Sequence, residues 1–239
     1  VLFDDLSPRF IFSGGGAGDY LQGLGGDDTL LGGEGNDVLE GGAGADSLDG
    51  GDGDGDFVSA LDASAPVVID LLNPSSSSAD YQGDTYANLE GIIGVAGFGN
   101  TITGDNQGWQ IAGGDVDDVL TGGGGRDVLV GLAGNDELFG GGNADTFFGD
   151  DGDDRHTGGG GPDVFLFIDD GQDVITDFEI PGTGTGFVDR VIFTSAGLSF
   201  ADLAFSTDGN GDAVITYGTT GSTVTFEGVT EAALNPTPG

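Results

Sequence analysis

Residues 113–166 read GGDVDDVLT GGGGRDVLV GLAGNDELF GGGNADTFF GDDGDDRHT GGGGPDVFL, six units of nine with no gap between them. Each unit opens with Gly, carries an acid at its sixth place and, with one exception, an apolar residue at its eighth. Nine residues bury nothing by themselves, so a period this short specifies a solenoid whose turns must stack. Residues 14–58 hold an earlier array of five such units: GGGAGDYLQ, GLGGDDTLL, GGEGNDVLE, GGAGADSLD and GGDGDGDFV. Another unit, GDNQGWQIA, begins at Gly104 and leads into the quoted stretch. Over these twelve units Gly fills the first place twelve times, an acid the sixth ten times and an apolar side chain the eighth eleven times. Gly55 and Trp109 lack the acid, and His156 lacks the apolar side chain.

Glycine tolerates positive φ, so the first six residues of a unit can curl tightly and aim carbonyls inward. The last three then form a short strand with the eighth side chain in the core. That core is thin, and the sixth-place acids stack into columns of like charge. The whole chain has the same imbalance: 42 acids face four arginines and no lysine, a net charge of −38 at pH 7. Such a charge excludes nucleic acid as a partner, disfavours anionic membrane surfaces and makes the compact state repel itself unless cations bind. Calcium answers both deficits, because it is a hard cation taking six to eight oxygens from carboxylates and carbonyls alike. Magnesium holds its waters and demands stricter geometry, so a stacked flexible turn favours calcium.

The expected carboxylate ligands are Asp19, Asp28, Asp37, Asp46, Asp118, Asp127, Asp136, Asp145, Asp154 and Asp163. The expected carbonyl-bearing turn residues are Gly33, Gly35, Gly42, Gly44, Gly123, Gly125, Gly134, Gly141, Gly152, Gly159 and Gly161. Shared turns and two defective units give roughly eight ions, whose binding energy becomes folding energy.

The rest of the chain is organised around these arrays. Residues 1–13 read as a lead-in strand and N-terminal cap, and the first residue, Val1, points to a fragment or processed product. In the array that follows, Phe57 continues the core pattern past Gly55, and a one-residue slip could restore a ligand from Asp54 or Asp56. Residues 59–103 lose the period but keep dense apolar bursts. They read as wider, metal-poor rungs of the same solenoid, with VVIDLL a strand and Ser75–Ser78 an exposed loop. Residues 104–166 form the second array. Residues 167–239 alternate as an antiparallel β cap, with strands at 213–217 and 222–226 and a polar NPTPG tail.

Both arrays resemble the repeats-in-toxin (RTX, haemolysin-type) calcium-binding repeat family. The likeness extends to the spacer YQGDTYANLEGIIG, and DVITDF with DRVIF is similar to the C-terminal region of serralysin-type secreted proteins. The resemblance implies an all-β, right-handed parallel β-roll with two nonapeptides per turn. Asp118, Asp136 and Asp154 would then share one column and Asp127, Asp145 and Asp163 the other, with Asp19 paired to Asp37 and Asp28 to Asp46. It further implies a bacterial protein, secreted or at the cell surface, that folds on extracellular calcium and carries an uncleaved type I secretion signal. The type I machinery would be its partner. Alternatives are a structural or adhesive surface protein, with surface glycans as partners, or the non-catalytic C-terminal part of a secreted protease, lipase or polysaccharide-modifying enzyme with an upstream catalytic domain.

Other readings are weaker. His156 is the only histidine, so a zinc-protease motif needing two is excluded, and an imperfect core position near a surface edge is the expectation. The GGGG runs recur every nine residues beside acids that repel phosphate, with no helix following. Asp208–Asp212 (DGNGD) imitates the start of a calcium loop, but it lacks the later glycine and glutamate, and a hairpin turn on Asn210-Gly211 fits better. A glycosidase carboxylate pair has no aromatic sugar cleft to support it. Trp109 reads as rung filler. No stretch is long and apolar enough to span a membrane, and the chain has no cysteine, which leaves metal as the available staple.

Overall fold

The computed structural model describes residues 10–78, 80–168, 171–180, 188–194, 198–218 and 221–234. The first array supplies β1 (Ile11–Gly16), β2 (Tyr20–Gln22), β3 (Thr29–Glu34), β4 (Val38–Glu40), β5 (Ser47–Asp52) and β6 (Phe57–Ser59). The irregular stretch supplies β7 (Val68–Asp70), β8 (Thr85–Ala87), β9 (Gly91–Ile93) and β10 (Thr101–Thr103). From the second array come β11 (Gln110–Gly114), β12 (Val119–Gly124), β13 (Val128–Ala133), β14 (Glu137–Gly142), β15 (Thr146–Asp151), β16 (Arg155–Gly160) and β17 (Val164–Phe167). The C-terminal region adds β18 (Gln172–Ile175), β19 (Arg190–Phe193), β20 (Ala204–Thr207), β21 (Ala213–Tyr217) and β22 (Ser222–Phe226).

One turn of the solenoid takes eighteen residues: Thr29 pairs with Ser47, Val119 with Glu137 and Val128 with Thr146, all in parallel. Alternate units therefore fall on opposite sheets. One sheet runs β2-β4-β6-β9-β11-β13-β15-β17-β19, nine rungs among the described residues. Its counterpart is β1-β3-β5-β8 beside the first array and β7-β10-β12-β14-β16-β18 beside the second. The architecture is thus the expected all-β parallel solenoid. At its C-terminal end β22 joins β18 in parallel, and β20, β21 and β22 close the sheet as antiparallel neighbours. Among the described residues no helix is long and apolar enough to cross a membrane.

Side chains in register build the core as columns. On the long sheet, Leu21, Leu39, Val58, Ile92, Ile111, Leu129, Phe147 and Phe165 follow one another, all buried. Across from the second array run Ile69, Ile102, Leu120, Leu138, His156 and Ile175. Aromatic rings seal the C-terminal end: Phe178 meets Phe226 edge-on at 5.0 Å, and Phe193 meets Tyr217 at 4.5 Å. A bidentate pair between Arg155 and Glu227 ties the outside of β16 to the end of β22.

Several expectations change. Strands such as β3, β5, β12 and β14 are six residues long rather than three, because pairing continues through the first three places of the next unit. Phe57 is only half-buried. Asp56 and Val58 occupy the acid and core places, because one extra residue fits into the turn and shifts the frame by one. Ser75 and Ser76 lie in a short 3-10 helix. Ser77 is buried and accepts the Asp70 N–H, so the serine run is not simply an exposed loop. His156 is fully buried in its column, far from a surface edge. The 208–212 segment turns the β20–β21 hairpin, with Asp208 Oδ1 accepting the N–H groups of Asn210 and Asp212. Residues 1–9 of the expected N-terminal cap and the tail at 235–239 lie outside the described residues.

Gly141 and its neighbour test the stacking of the turns. Gly141 has φ +109, and a Cβ built on it would lie 2.0 Å from the Gly123 carbonyl oxygen one turn below. Gly142 meets nothing within 4 Å. Gly141→Ala should therefore destabilise the calcium-loaded chain by more than about 1 kcal/mol, while Gly142→Ala stays within roughly 0.5 kcal/mol of wild type; thermal unfolding of both variants checks this.

Candidate metal centre

Each sixth-place acid precedes a core side chain by two residues, so on an extended strand both point to the same inner face. The carboxylates of Asp28, Asp37, Asp46, Asp118, Asp127, Asp136, Asp145, Asp154 and Asp163 are accordingly buried, and Asp19 is half-buried. From Asp28 onward, Oδ1 of each of these acids accepts a backbone N–H from one turn earlier. Six such bonds measure 2.7–2.9 Å: Asp19 to Asp37, Asp28 to Asp46, Asp118 to Asp136, Asp127 to Asp145, Asp136 to Asp154 and Asp145 to Asp163. The hydrogen bonds join the acids into the same columns that the family resemblance implies.

The ladder also runs through residues outside the nonapeptide frame. Asp37 donates to Asp56, Asp46 to Asp84, Asp56 to Glu90, Asp154 to Asp173 and Asp163 to Asp189. Asn100 and Trp109 stand at acid places without a carboxylate, yet their N–H groups reach Asp118 and Asp127. The added acids share one signal, an acid followed two residues later by an inward apolar side chain: Asp56 with Val58, Asp84 with Tyr86, Glu90 with Ile92, Asp173 with Ile175 and Asp189 with Val191. Within the irregular stretch at 59–103, whose rungs read from the sequence as metal-poor, Asp84 and Glu90 carry the ladder.

The second carboxylate oxygen is what singles these acids out. Oδ2 of Asp28, Asp37, Asp46, Asp56, Asp118, Asp127, Asp136 and Asp145 is buried and has no hydrogen-bond partner. A buried anionic oxygen with no donor is costly, and proteins pair such groups or give them a metal. The glycines make room for this oxygen. A Cβ on Gly131 would sit 2.0 Å from Asp136 Oδ2, and one on Gly113 2.1 Å from Asp118 Oδ2. First-place glycine is thus required by close approach, whereas positive φ belongs to the second and fourth places.

Gly33, Gly35, Gly42, Gly44, Gly123, Gly134, Gly141, Gly152, Gly159 and Gly161 all have positive φ. Gly125 does not; a Cβ there would lie 2.1 Å from the Gln107 carbonyl oxygen. The carbonyl oxygens of Gly134, Gly141 and Asn143 likewise press on Gly152, Gly159 and Gly161 one turn on. Apart from the rung of His156, each turn among the described residues thus offers main-chain and carboxylate oxygens and no nitrogen or sulfur ligand. That donor set fits a hard cation such as calcium.

Burial raises the carboxylate pKa values above the ordinary range, to about 6 for Asp46, Asp127 and Asp136 and about 7 for Asp84, Asp145 and Asp163. Stacked neighbours push the same way: Asp28 on Asp46, Asp118 on Asp136 and Asp127 on Asp145. A raised folded-state pKa means that the metal-free fold binds protons the unfolded chain has released. Its contribution to stability is fully present below the unfolded value near 4 and is lost as pH rises through 6 to 7. In chelator, the β-sheet circular dichroism signal should therefore grow as pH falls from about 7.5 to about 5, and saturating calcium should abolish that dependence. A chelated chain whose β content falls on acidification would contradict this.

The model of the RTX calcium-binding nonapeptide repeat matches four times, at residues 13–48, 22–56, 112–147 and 130–165. No curated protein matches the sequence. Among solved structures the chain is similar to the extracellular lipase LipA from Serratia marcescens, at 22% identity and a TM-score of 0.35. That alignment covers 95% of this chain and 37% of the lipase. The two regular arrays of this chain, within residues 13–56 and 112–165, are RTX calcium-binding nonapeptide repeats.

Proposed function

We propose that the chain is a non-catalytic calcium-dependent folding module of a secreted bacterial protein. It stays unfolded where calcium is scarce and folds on reaching extracellular calcium, so that folding outside opposes return through a type I export channel. The observation carrying this reading is the row of buried Oδ2 atoms without partners among the described residues, about one per nonapeptide and so two per turn within each array, in a chain of net charge −38. The expected ligands are the ladder acids Asp19, Asp28, Asp37, Asp46, Asp118, Asp127, Asp136, Asp145, Asp154 and Asp163, with the turn carbonyls between them. Asp56, at a shifted place in the last unit of the first array, and Asp84, Glu90 and Asp189 beyond the arrays repeat the same hydrogen bond. Millimolar extracellular calcium suits sites of weak to moderate affinity.

Trp109 is buried, so its fluorescence together with far-UV circular dichroism reports folding directly. Both should show an unfolded chain in chelator at neutral pH and a folded one in millimolar calcium; a chain already folded in chelator would sink the proposal. Asp136→Asn keeps an oxygen to accept the Asp118 N–H but removes the charge, and it should raise the calcium midpoint several-fold. Asp151→Asn, at an exposed position, should leave the midpoint unchanged.

A further inference from the structure

His156 stands where its column otherwise holds Ile69, Ile102, Leu120, Leu138 and Ile175. Its ring is 0% exposed and is met edge-on by Phe147, Phe165 and Phe167 at centroid distances of 5.9, 6.0 and 5.4 Å. Neither ring nitrogen has a hydrogen-bond partner among the described residues. A neutral imidazole carries one donor and one acceptor, so this placement sacrifices two hydrogen bonds where leucine would sacrifice none.

Asp154 lies two residues before His156, on the same inner face of the rung. Asp173 lies one rung on, its Oδ1 accepting the Asp154 N–H at 3.0 Å. One nitrogen of His156 and one carboxylate oxygen each from Asp154 and Asp173 come within 4.8 Å of one another, and all three residues are buried. Ligands of a single ion held at about 2.0–2.2 Å lie closer than that, so the three side chains draw together when the ion binds.

We propose that Asp154, His156 and Asp173 form a site for a divalent transition-metal ion of the zinc, cobalt and nickel class, where the second array meets the C-terminal cap. Calcium takes oxygen ligands, whereas imidazole nitrogen selects borderline metals, so at this rung Asp154 serves the borderline ion in place of calcium, and the rung differs in kind from its neighbours. The ion occupies the place that apolar packing fills elsewhere in the column and bridges two successive rungs. Because the site is enclosed, the metal is captured as the two rungs close over it, and its affinity is coupled to docking of β18 on β16.

His156 is the only histidine in the chain, so its imidazole resonances identify themselves without assignment. The test uses the full chain without an affinity tag, in saturating calcium, with its fold confirmed by circular dichroism before any second metal is added. That first step examines the calcium reading separately. Addition of one equivalent of zinc should shift the ring nitrogen-15 resonance of His156, and cobalt should give a visible d–d spectrum that zinc displaces and further calcium does not. His156→Leu restores the column's own residue type; it should fold in calcium and lose the cobalt spectrum. Asp173→Asn should weaken cobalt binding. The proposal fails if zinc leaves the imidazole resonances unmoved, or if cobalt binds His156→Leu as it binds the wild type.

Discussion

A carboxylate that spends one oxygen on the main chain and keeps the other unspent is the constraint on which this molecule depends. Oδ1 of each ladder acid accepts the N–H of the preceding turn and so sets the eighteen-residue pitch. Oδ2 is then held in a dry interior facing the first-place glycine of its own unit, with nothing to donate to it. The first interaction builds the coil and the second burdens it with a row of buried charges beside apolar columns one side chain wide. The glycine turns stack carbonyls beside those carboxylates, an oxygen-rich surrounding of the kind a hard cation takes.

Much of this was legible in the sequence because the period is rigid. First-place glycine, sixth-place acid and eighth-place apolar residue each answer a separate physical need, and twelve repetitions make chance agreement negligible. The two-column arrangement followed from the family resemblance, and the pairing of Asp118 with Asp136 and of Asp127 with Asp145 agrees with it.

What the sequence hid lies where the frame breaks. Asp56 sits one place later than the unit requires because its turn absorbed an extra residue, and Asp84, Glu90, Asp173 and Asp189 have no nonapeptide around them. They are found only by the shorter signature that survives, an acid two residues before an inward apolar side chain. Sequence alone also does not separate the glycines of a unit by their roles. Positive φ belongs to positions such as Gly141 and Gly159, while Gly131 is glycine because a carboxylate lies over it. In the sequence His156 reads as an imperfect core position near an edge, because composition cannot reveal that three phenylalanine rings enclose it.

The inter-turn hydrogen bond also governs how such a chain can change length. Successive ladder partners are separated by 18 residues in the arrays but by 19, 26, 34 and 38 elsewhere. Extra residues are accommodated outside the ladder whenever an acid returns to meet the waiting N–H. An added or deleted block of eighteen leaves every donor facing its acceptor. A block of nine instead sends everything downstream to the opposite sheet and exchanges the two columns. Duplication in whole turns, with loops of free length between them, is therefore the grammar by which this architecture can lengthen, shorten or acquire appendages without losing register.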